Sequence, residues 1–518
     1  MENNEWYKTV KDNDLKEGVP QQVIVDEKKV MLVRIKEKIH ACGNECSHYG
    51  APLTEGVLKD SVVTCPWHNA KFDVTTGQMV SAPALNNLPV YETMVKDGEV
   101  YVRKAGSNII PMPEGKDDRT FLIIGAGASG NAAAEMLRRR GFAGRIIMVT
   151  SENQLPYDRT MLSKDFLSGE APAKWLPLRG EKFYDRLHIE ILTGHTVQSM
   201  DPVKRAVSFQ NGKSLTADKI LIATGGIPRR LNLKGSDMEG CHYLRTLHDC
   251  NSIISDLENA KQAVVLGASF IGLEVAAALT HRGLSVHVVG PEEVPLAAVF
   301  GERIGRWIQN IHQQKQVNFH MGRKALEIKG NGSVNEVVLD DSSSIKADIV
   351  VIGIGVIPAV DFLSESGLVE NGAVSVNAHF QTKSEGIYAS GDIAVVPDPR
   401  TGNPRRIEHW AEAERQGQHA AKCMLDESEN YNEMPFFWTN QFGTSLKYIG
   451  YARQFEQVVF RGSVEEKSFV AGYYINSTLS AVAGVGNTRD IILIGERMKE
   501  GRNIDPHQFE DMGFDLSQ

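Results

Sequence analysis

Two glycine turns, each between an apolar strand and an alanine-rich helix, restrict the fold of this sequence most. The first reads FLIIGAGASG from Phe121 and continues into NAAAEMLRRR, and the second reads AVVLGASFIG from Ala263 and continues into LEVAAALTHRG. After each helix comes another apolar strand, RIIMVT or LSVHVV, which completes a β-α-β unit. Gly125 and Gly267 lie 142 positions apart, so the repeat has the size of a domain. The sequence therefore predicts two nucleotide-binding α/β domains.

Length and composition limit the class of protein. At roughly 150 residues per domain, 518 residues indicate three to four domains. The formal charge is 56 minus 65, or −9, without a block of Lys and Arg, which argues against nucleic acid as a partner. No apolar run reaches about 18 residues, and the polar start lacks a signal peptide, so no transmembrane segment is expected. Six unevenly spaced cysteines are typical of a reducing compartment, and we expect a cytoplasmic location.

The regions outside the two α/β units have different patterns. Residues 20–103 carry short β-branched runs between turn residues, which predicts a small all-β domain. Residues 104–118 have linker composition, and the last region predicts an α+β fold. The expected fold is a multidomain chain: an all-β domain, two Rossmann-like α/β domains and an α+β C-terminal domain. The predicted boundaries are 1–103 (all-β), 104–118 (linker), 119–245 and 378–431 (first nucleotide domain), 246–377 (second nucleotide domain) and 432–518 (C-terminal domain).

Two thiols and two imidazoles form a pattern in the all-β region. Cys46-Ser-His48 is followed, after sixteen residues, by Cys65-Pro-Trp-His68. Thiolates and imidazoles are good ligands for transition metals, so Cys46, His48, Cys65 and His68 are the candidate metal ligands. Zinc accepts the same four ligands in tetrahedral geometry and stays an alternative.

This ligand pattern, with the Lys71-Phe-Asp-Val-Thr-Thr-Gly77 that follows it, resembles the Rieske family. In that family two cysteines bind one iron of a [2Fe-2S] cluster and two histidines bind the other, at potentials of about −150 to +300 mV. Ala51 and Trp67 stand where respiratory-type members have further cysteines, so the resemblance implies the subclass without a disulfide. The remaining cysteines are interpreted as structural thiols: Cys42, Cys241, Cys250 and Cys423.

The first glycine turn predicts a site for a pyrophosphate. Gly125, Gly127 and Gly130 follow a strand and begin a helix, so that backbone N–H groups and the helix N-terminus face the phosphates. The acid expected at the end of the second strand is displaced, and Glu152 is our candidate for the ribose contact.

The segment Leu155-Pro-Tyr-Asp-Arg159-Thr-Met-Leu-Ser-Lys164 resembles flavin-dependent reductases that include apoptosis-inducing factor and the ferredoxin reductases of aromatic dioxygenase systems. Further matches are Ala223-Thr-Gly-Gly-Ile-Pro-Arg229, Leu244-Arg-Thr-Leu-His-Asp249 and Tyr388-Ala-Ser-Gly-Asp392, and together they extend over residues 119–450. With the Rieske pattern in front, the chain resembles the Rieske-bearing, apoptosis-inducing-factor-like class. The resemblance implies an FAD site whose contacts include Arg159, Lys164, Ala223, Thr224, Gly225 and Asp392.

Two aromatic residues match places where this family puts side chains over the flavin. They are Trp410, in Glu408-His-Trp-Ala-Glu, and Trp438, in Phe436-Phe-Trp-Thr. Packing in a hydrophobic core is the alternative, because buried aromatic residues are common without a cofactor.

The second glycine turn predicts a nicotinamide nucleotide site. Gly267 and Gly272 keep the first and last glycines of the fingerprint, but Ser269 stands at the middle one. Glu292 follows the second strand, and an acid there suits the 2′-hydroxyl of NADH, with NADPH as the open alternative. The family resemblance adds Gly355 as a contact beside the nicotinamide. It also adds Glu274 as a partner for the flavin lysine, and Lys164 and Glu274 are the candidates for catalysis.

These resemblances imply an oxidoreductase that takes hydride from NADH onto FAD and passes single electrons to a Rieske cluster and then to an unidentified acceptor, protein or small molecule. One alternative is an NADH oxidase, quinone reductase or peroxide reductase with an auxiliary cluster. Another is a redox-sensing or cell-death factor related to apoptosis-inducing factor. We expect a monomer or homodimer, and family analogy leaves mitochondrial association open.

Overall fold

A computed structural model describes residues 5–106, 108–427 and 429–517. The first four residues of the predicted all-β domain, Ser107 of the predicted linker, Ser428 of the predicted first nucleotide domain and the terminal Gln518 lie outside the described residues. The described chain has an all-β domain, two parallel α/β sheets and an antiparallel sheet with helices. The predicted fold class is confirmed.

The N-terminal domain contains two antiparallel sheets. The six-stranded sheet runs, in spatial order, Tyr7–Lys11, Glu99–Lys104, Val90–Lys96, Lys38–Gly43, Lys28–Ile35 and Gln21–Val25. The four-stranded sheet runs Val57–Lys59, Val62–Thr64, Lys71–Asp73 and Met79–Ser81. Leu53, Val63 and Phe72 are fully buried in its core. The two loops with the Cys and His pattern lie just before the first and just after the second strand of the smaller sheet.

The first α/β domain is a five-stranded parallel sheet in the order Ile189–Leu192, Arg145–Val149, Thr120–Ile124, Lys219–Ile222 and Ile387–Ala389. Continuous apolar runs form it because both faces are covered. Its helices are Ala128–Arg139, Asp165–Ser168, Glu181–Arg186 and Trp410–Met424. Smaller sheets flank it: Val197–Asp201, Ala206–Phe209 and Ser214–Thr216, and Val369–Glu370, Ala373–Ser375, Ala394–Pro397 and Pro404–Arg405.

The second α/β domain repeats this plan with the parallel order Cys241–Tyr243, Ile349–Ile352, Gln262–Leu266, Ser285–Gly290 and Asn318–Met321. Its helices are Leu247–Asp256, Phe270–His281, Ala297–Phe300 and Glu302–Gln314. An antiparallel sheet of Ala325–Asn331, Ser333–Leu339 and Ser344–Lys346 follows. Strands Gly226–Pro228 and Val356–Pro358 pair where the chain crosses between the two domains.

The C-terminal domain is an antiparallel sheet in the order Phe436–Gln441, Thr444–Gly450, Thr478–Val485, Ser468–Ile475 and Gln457–Ser463. Helices Thr488–Lys499 and Pro506–Glu510 follow it. Among the described residues, no helix is long and apolar enough to span a membrane.

The described part of the predicted linker is attached to both of its neighbours. The Asn108 side chain donates to the carbonyl oxygens of Thr76 and Leu88 in the all-β domain. Two residues later, the Ile110 side chain is buried in the core of the first α/β domain, and its carbonyl oxygen accepts from Arg186. The segment therefore packs along the junction. The domain boundaries predicted from the sequence stay a proposal.

Candidate active site and metal centre

A cavity of about 1280 Å³ lies where the two α/β domains and the C-terminal sheet meet. It exceeds the roughly 300–1,000 Å³ of ordinary small-molecule pockets, which suits a long dinucleotide. Of the seventeen residues predicted for the nucleotide sites and catalysis, eleven besides the two tryptophans line it: Gly125, Gly127, Glu152, Arg159, Lys164, Ala223, Thr224, Gly225, Glu274, Gly355 and Asp392. Trp410 and Trp438 also line it. Four predicted residues do not: Gly130, Gly267, Gly272 and Glu292.

The first glycine turn is shaped for a phosphate. Gly125 has a φ of +108°, and a Cβ there would lie 2.2 Å from the carbonyl oxygen of Ala223. A Cβ on Gly130 would lie 1.8 Å from the carbonyl oxygen of Gly125, so this glycine permits close packing of helix and strand. Next to Gly127, by contrast, the nearest atom would be 4.0 Å away. Its backbone is open to the cavity at the start of a helix, which fits a pyrophosphate.

Arg159 and Glu152 form an ion pair on the cavity wall. The Tyr157 hydroxyl donates to Glu152 Oε2 at 2.6 Å, and Arg159 Nη1 donates to the carbonyl oxygen of Arg245 at 3.0 Å. A carboxylate has about four acceptor positions. Glu152 therefore keeps the capacity to accept a ribose hydroxyl while Arg159 fixes its orientation.

Lys164 and Glu274 form an ion pair between the two α/β domains. Lys164 Nζ lies 2.7 Å from Glu274 Oε2, and both side chains line the cavity. Ser163 Oγ donates to the same carboxylate oxygen at 2.7 Å, and Thr439 Oγ1 donates to Oε1 at 2.7 Å. Since Glu274 is 5% exposed and Lys164 is 17% exposed, neither is a solvated surface residue. The ammonium group is held at a fixed position in the cavity wall.

Ser269 caps the helix Phe270–His281 in the second glycine turn. Its Oγ accepts from Gly272 N at 3.2 Å and donates to the carbonyl oxygen of Gly353 at 2.9 Å. Ser269 lines the cavity, whereas Gly267 and Gly272 lie behind it. The serine hydroxyl therefore accepts the hydrogen bond of the Gly272 N–H group. With glycine at position 269, this N–H group would be free to bind a phosphate.

The position that selects between NADH and NADPH contains charges of both signs. Glu292 is exposed after strand Ser285–Gly290. Arg323, from the neighbouring strand end, donates its backbone N–H to the carbonyl oxygen of Gly290 at 3.0 Å. No local sequence pattern marks this arginine, because strand pairing brings it to the site. Its Nε lies 3.0 Å from Asp341 Oδ2, so an acid already neutralises it.

Asp392 has an arginine partner that the sequence analysis did not select. Arg245 Nη2 lies 3.3 Å from Asp392 Oδ2, and Arg406 Nη1 donates to the Asp392 carbonyl oxygen at 2.9 Å. All three residues line the cavity. Arg245 stands in the quoted segment Leu244-Arg-Thr-Leu-His-Asp249, so the family resemblance contained a signal for it.

The two predicted tryptophans differ in their surroundings. The Trp410 side chain donates to Glu414, whose carboxyl is buried and has its pKa raised well above the usual range by that burial. Trp438 lies opposite Lys447 in the C-terminal sheet, and burial lowers the pKa of Lys447 to about 8. On the side of the N-terminal domain, the Trp438 ring contacts the ring of His68.

The four candidate metal ligands form two pairs. The Cys46 and Cys65 thiols are hydrogen-bonded to each other, and His48 Nδ1 lies 3.1 Å from His68 Nδ1. Both cysteines are buried and free of disulfides. Within the described ranges, no three His, Cys, Asp or Glu side chains surround one point as a single ion requires. Two pairs fit a two-iron cluster with thiolates on one iron and imidazoles on the other, and they do not favour zinc.

The ligand loops supply hydrogen bonds to the sulfur atoms. Backbone N–H groups of His48 and Tyr49 point at the Cys46 sulfur, and those of Trp67 and His68 point at the Cys65 sulfur. Such hydrogen bonds stabilise thiolates and tune cluster potentials. Burial lowers the pKa of His48 to about 4, so its imidazole is neutral, as a metal ligand must be.

The His side of the ligand loops lies against the flavin domain and the C-terminal sheet. The ring of His68 contacts that of Trp438, with centroids 4.3 Å apart. The Tyr49 hydroxyl donates to Asp158 Oδ2 at 2.7 Å. Asp158 stands in the predicted flavin segment and also caps the turn Arg159–Ser163 through Thr160 N. One carboxylate therefore connects the ligand loop to the turn that carries Lys164.

Buried arginines from the first α/β domain hold other loops of the N-terminal domain. Arg415, 3% exposed, donates to the carbonyl oxygen of Asn69 at 2.9 Å, directly after the candidate ligand His68. Arg179 and Arg139 each donate to the carbonyl oxygen of Leu85 at 2.6 Å. Buried charge-assisted hydrogen bonds of this kind fix one arrangement of two surfaces.

An ionic network joins the N-terminal domain to the C-terminal domain. Lys71, buried at the interface, lies 2.9 Å from Glu496 and 3.8 Å from Glu433, and Lys499 lies 3.1 Å from Glu433. Burial alone would raise the pKa of Glu433, but the charges of Lys71, Arg415 and Lys499 lower it to about 2. Sequence patterns could not reveal this network, because its members lie hundreds of positions apart.

Three family models match this chain. Pyridine nucleotide-disulphide oxidoreductase matches residues 119–417, the Rieske [2Fe-2S] domain matches residues 5–92, and the reductase C-terminal domain matches residues 436–518. Their order agrees with the all-β domain, the two α/β sheets and the final antiparallel sheet.

Curated and solved relatives match nearly all or about three quarters of this chain. Apoptosis-inducing factor 3 of Homo sapiens is 37% identical over 514 residues, which cover 96% of this chain and 84% of that protein. Ferredoxin–NAD(P)(+) reductase fdr of a Sphingomonas species is 32% identical over 386 residues, 74% of this chain and 93% of that protein. The crystal structure of the ferredoxin reductase for the CYP199A2 system from Rhodopseudomonas palustris has a TM-score of 0.74 at 32% identity, and covers 77% of this chain and 99% of that one.

Proposed function

This chain belongs to the pyridine nucleotide-disulphide oxidoreductase family. We propose that it passes electrons from NADH through FAD to its Rieske cluster, and from the cluster to a one-electron acceptor. It is an NAD(P)H oxidoreductase with FAD and a Rieske [2Fe-2S] cluster as cofactors. The route through the cluster and the identity of the acceptor are the proposed part.

The cofactors supply the chemistry: FAD accepts hydride from the nicotinamide and releases single electrons, and the cluster carries one electron at a time. The protein binds and orients them. Gly127 and the helix start behind it would hold the pyrophosphate, and Glu152 and Asp392 would accept hydroxyl groups of the FAD ribose and ribityl chain. Cys46, His48, Cys65 and His68 would hold the cluster.

Lys164 has the proposed catalytic role. Its ammonium group would stabilise negative charge that develops on the flavin ring, because it is fixed before the reaction and needs no reorganisation. Glu274 is the positioning residue, since its carboxylate keeps Lys164 in place by a 2.7 Å contact.

The contact between Trp438 and His68 is the observation that supports an electron route through the cluster. Trp438 lines the cavity on one side and touches a cluster ligand on the other, with 4.3 Å between ring centroids. The N-terminal domain is held in this position by buried hydrogen bonds, so no domain movement is needed to bring the cluster near the cavity.

The reduction potential of a Rieske cluster limits which external acceptors it can reduce. The relative from Sphingomonas is named as a ferredoxin reductase, and we propose an acceptor protein for this chain as well. A Rieske cluster lies at about −150 to +300 mV, above plant-type ferredoxins at about −400 mV. The proposed acceptor is therefore a carrier of higher potential. NADH as the preferred donor, a cytoplasmic location and a monomer or homodimer stay predictions.

Anaerobic addition of NADH to the cluster-loaded protein tests the proposal. We expect flavin absorbance to bleach and the reduced-cluster EPR signal to rise in the same sample. Cys46→Ser is expected to lose the cluster signal while FAD still bleaches, which separates the two centres. Bleached flavin with a silent cluster in the wild type would contradict the internal route.

A further inference from the structure

Trp67 and Tyr49 are exposed aromatic side chains near the proposed ligand His68. Trp67 is 43% exposed and Tyr49 is 45% exposed. Their ring centroids lie 6.5 Å and 5.6 Å from that of His68. Neither ring lines the large cavity or the small one beside Lys71, and each is exposed to solvent over part of its surface.

The other side of His68 is covered. Its ring contacts Trp438 at 4.3 Å, and the following residue, Asn69, is held by the buried Arg415. The domain cannot turn this covered side outward without breaking the Tyr49–Asp158 hydrogen bond and the buried arginine contacts. A partner that approaches the ligand loops from solvent therefore meets the exposed rings of Trp67 and Tyr49.

We propose that Trp67 and Tyr49 form the docking surface for a small one-electron carrier protein, an inference that rests on the proposed function. The centroid of the His68 ring lies 4.3 Å from that of Trp438, which lines the cavity, and 6.5 Å from that of Trp67. Tyr and Trp are enriched at the centres of protein interfaces. Small molecules such as quinones bind in concave pockets, whereas these two rings lie outside both cavities, which favours a protein.

The electron balance is fixed by the donor. Each NADH gives a hydride, which is two electrons and one proton, and the carrier takes one electron at a time. One NADH and two oxidised carriers therefore give NAD⁺, one H⁺ and two reduced carriers. The carrier binds and leaves twice in each cycle, which requires a surface that is open in the resting protein.

The first test uses wild-type protein with cytochrome c as the probe carrier. Hydroxyl-radical footprinting is expected to show Trp67 and Tyr49 protected when cytochrome c is bound at 0.15 M salt. Equal labelling of both rings with and without bound cytochrome c would overturn the docking surface. This measurement needs no turnover, so it is independent of whether the cluster is reduced by NADH.

A variant series gives the second test. Trp67→Ala is expected to raise the Kd for cytochrome c at least fivefold in surface plasmon resonance, and Trp67→Phe is expected to restore part of it. Met94→Ala is the control, because Met94 is an exposed apolar residue on the larger sheet of the same domain. An unchanged Kd in Trp67→Ala, with a normal cluster EPR signal, would place the partner elsewhere. A wild-type cluster that NADH cannot reduce would instead defeat the proposed function.

Discussion

Lys164 and Glu274 are a buried ion pair, and such pairs are poor sources of stability. Removing two charges from water costs as much as their attraction returns, so an apolar pair of similar volume is often equally stable. Here the carboxylate also accepts hydrogen bonds from Ser163 and Thr439. Three polar groups from three domains thus hold one ammonium group at the cavity wall, which is an arrangement suited to catalysis.

Lys164→Ala is expected to slow reduction of the flavin by NADH at least tenfold, because a fixed charge at the reacting ring typically contributes about 10²–10³ in rate. Stopped-flow absorbance under anaerobic conditions measures it. Lys174→Ala, which changes a lysine in the flavin domain outside the cavity lining, is the control and should react at the wild-type rate. A normal rate in Lys164→Ala would leave the ion pair with a structural role only.

Motifs made some of these residues predictable and left others hidden. Lys164 follows a recognisable segment, and Gly127 stands in a strand-turn-helix pattern whose chemistry is known. Tyr49 and Asp158 have no local signal, because their hydrogen bond joins residues 109 positions apart. Contacts between domains depend on how surfaces fit, and a single sequence does not encode that fit in any local pattern.

At the scale of elements, the helix Phe270–His281 shows how one residue serves two purposes. Ser269 gives this helix its N-cap and lies in the cavity wall. The sequence predicted the strand, turn and helix here, since apolar periodicity and glycine placement are strong signals. The capping role of Ser269 comes from its side-chain rotamer, which the pattern does not determine.

Ser269→Ala and Ser269→Gly separate the two purposes of the serine. Ser269→Ala is expected to lower the free energy of unfolding by about 1 kcal/mol, and Ser269→Gly by only a few tenths. Both variants free Gly272 N, but Ser269→Gly should bind NADH more tightly than Ser269→Ala, since glycine has no Cβ at the phosphate approach. Thermal unfolding and titration of charge-transfer absorbance measure the two effects. Equal NADH affinity in both variants would mean that residue 269 does not approach the phosphates.

On the scale of the whole molecule, the N-terminal domain is bound by two kinds of contact. Buried arginines hold its loops to the flavin domain, and Lys71 with Glu433, Glu496 and Lys499 joins it to the C-terminal domain. Buried pairs are screened little by salt. The N-terminal domain is therefore expected to stay bound at high ionic strength. Acid, in contrast, should weaken its attachment by protonating the carboxylates of Glu433 and Glu496.

The lowered pKa of Glu433 defines the pH range in which acid should reduce the free energy of unfolding. Its pKa is about 2 in the folded protein, below the roughly 4.3 of an unfolded chain, because the charges of Lys71, Arg415 and Lys499 outweigh burial. A carboxylate with a lowered pKa stabilises the fold above the unfolded value and loses this contribution as pH falls towards the folded value. The free energy of unfolding should therefore fall between about pH 4.3 and pH 2 through this residue, and be independent of it above about pH 5.

Glu433→Gln is expected to remove that part of the pH dependence. It should also lower the free energy of unfolding at pH 7 by about 1–3 kcal/mol, which corresponds to a shift of roughly two units in the pKa of Glu433, reduced because its side chain is partly exposed. Urea unfolding from pH 7 down to pH 3 measures both effects. Glu427→Gln is the matched control, since Glu427 pairs with Arg140 on the surface and its loss should cost under about 1 kcal/mol. If Glu433→Gln matched the wild type at every pH, the network around Lys71 would not contribute to holding the cluster domain against the C-terminal domain.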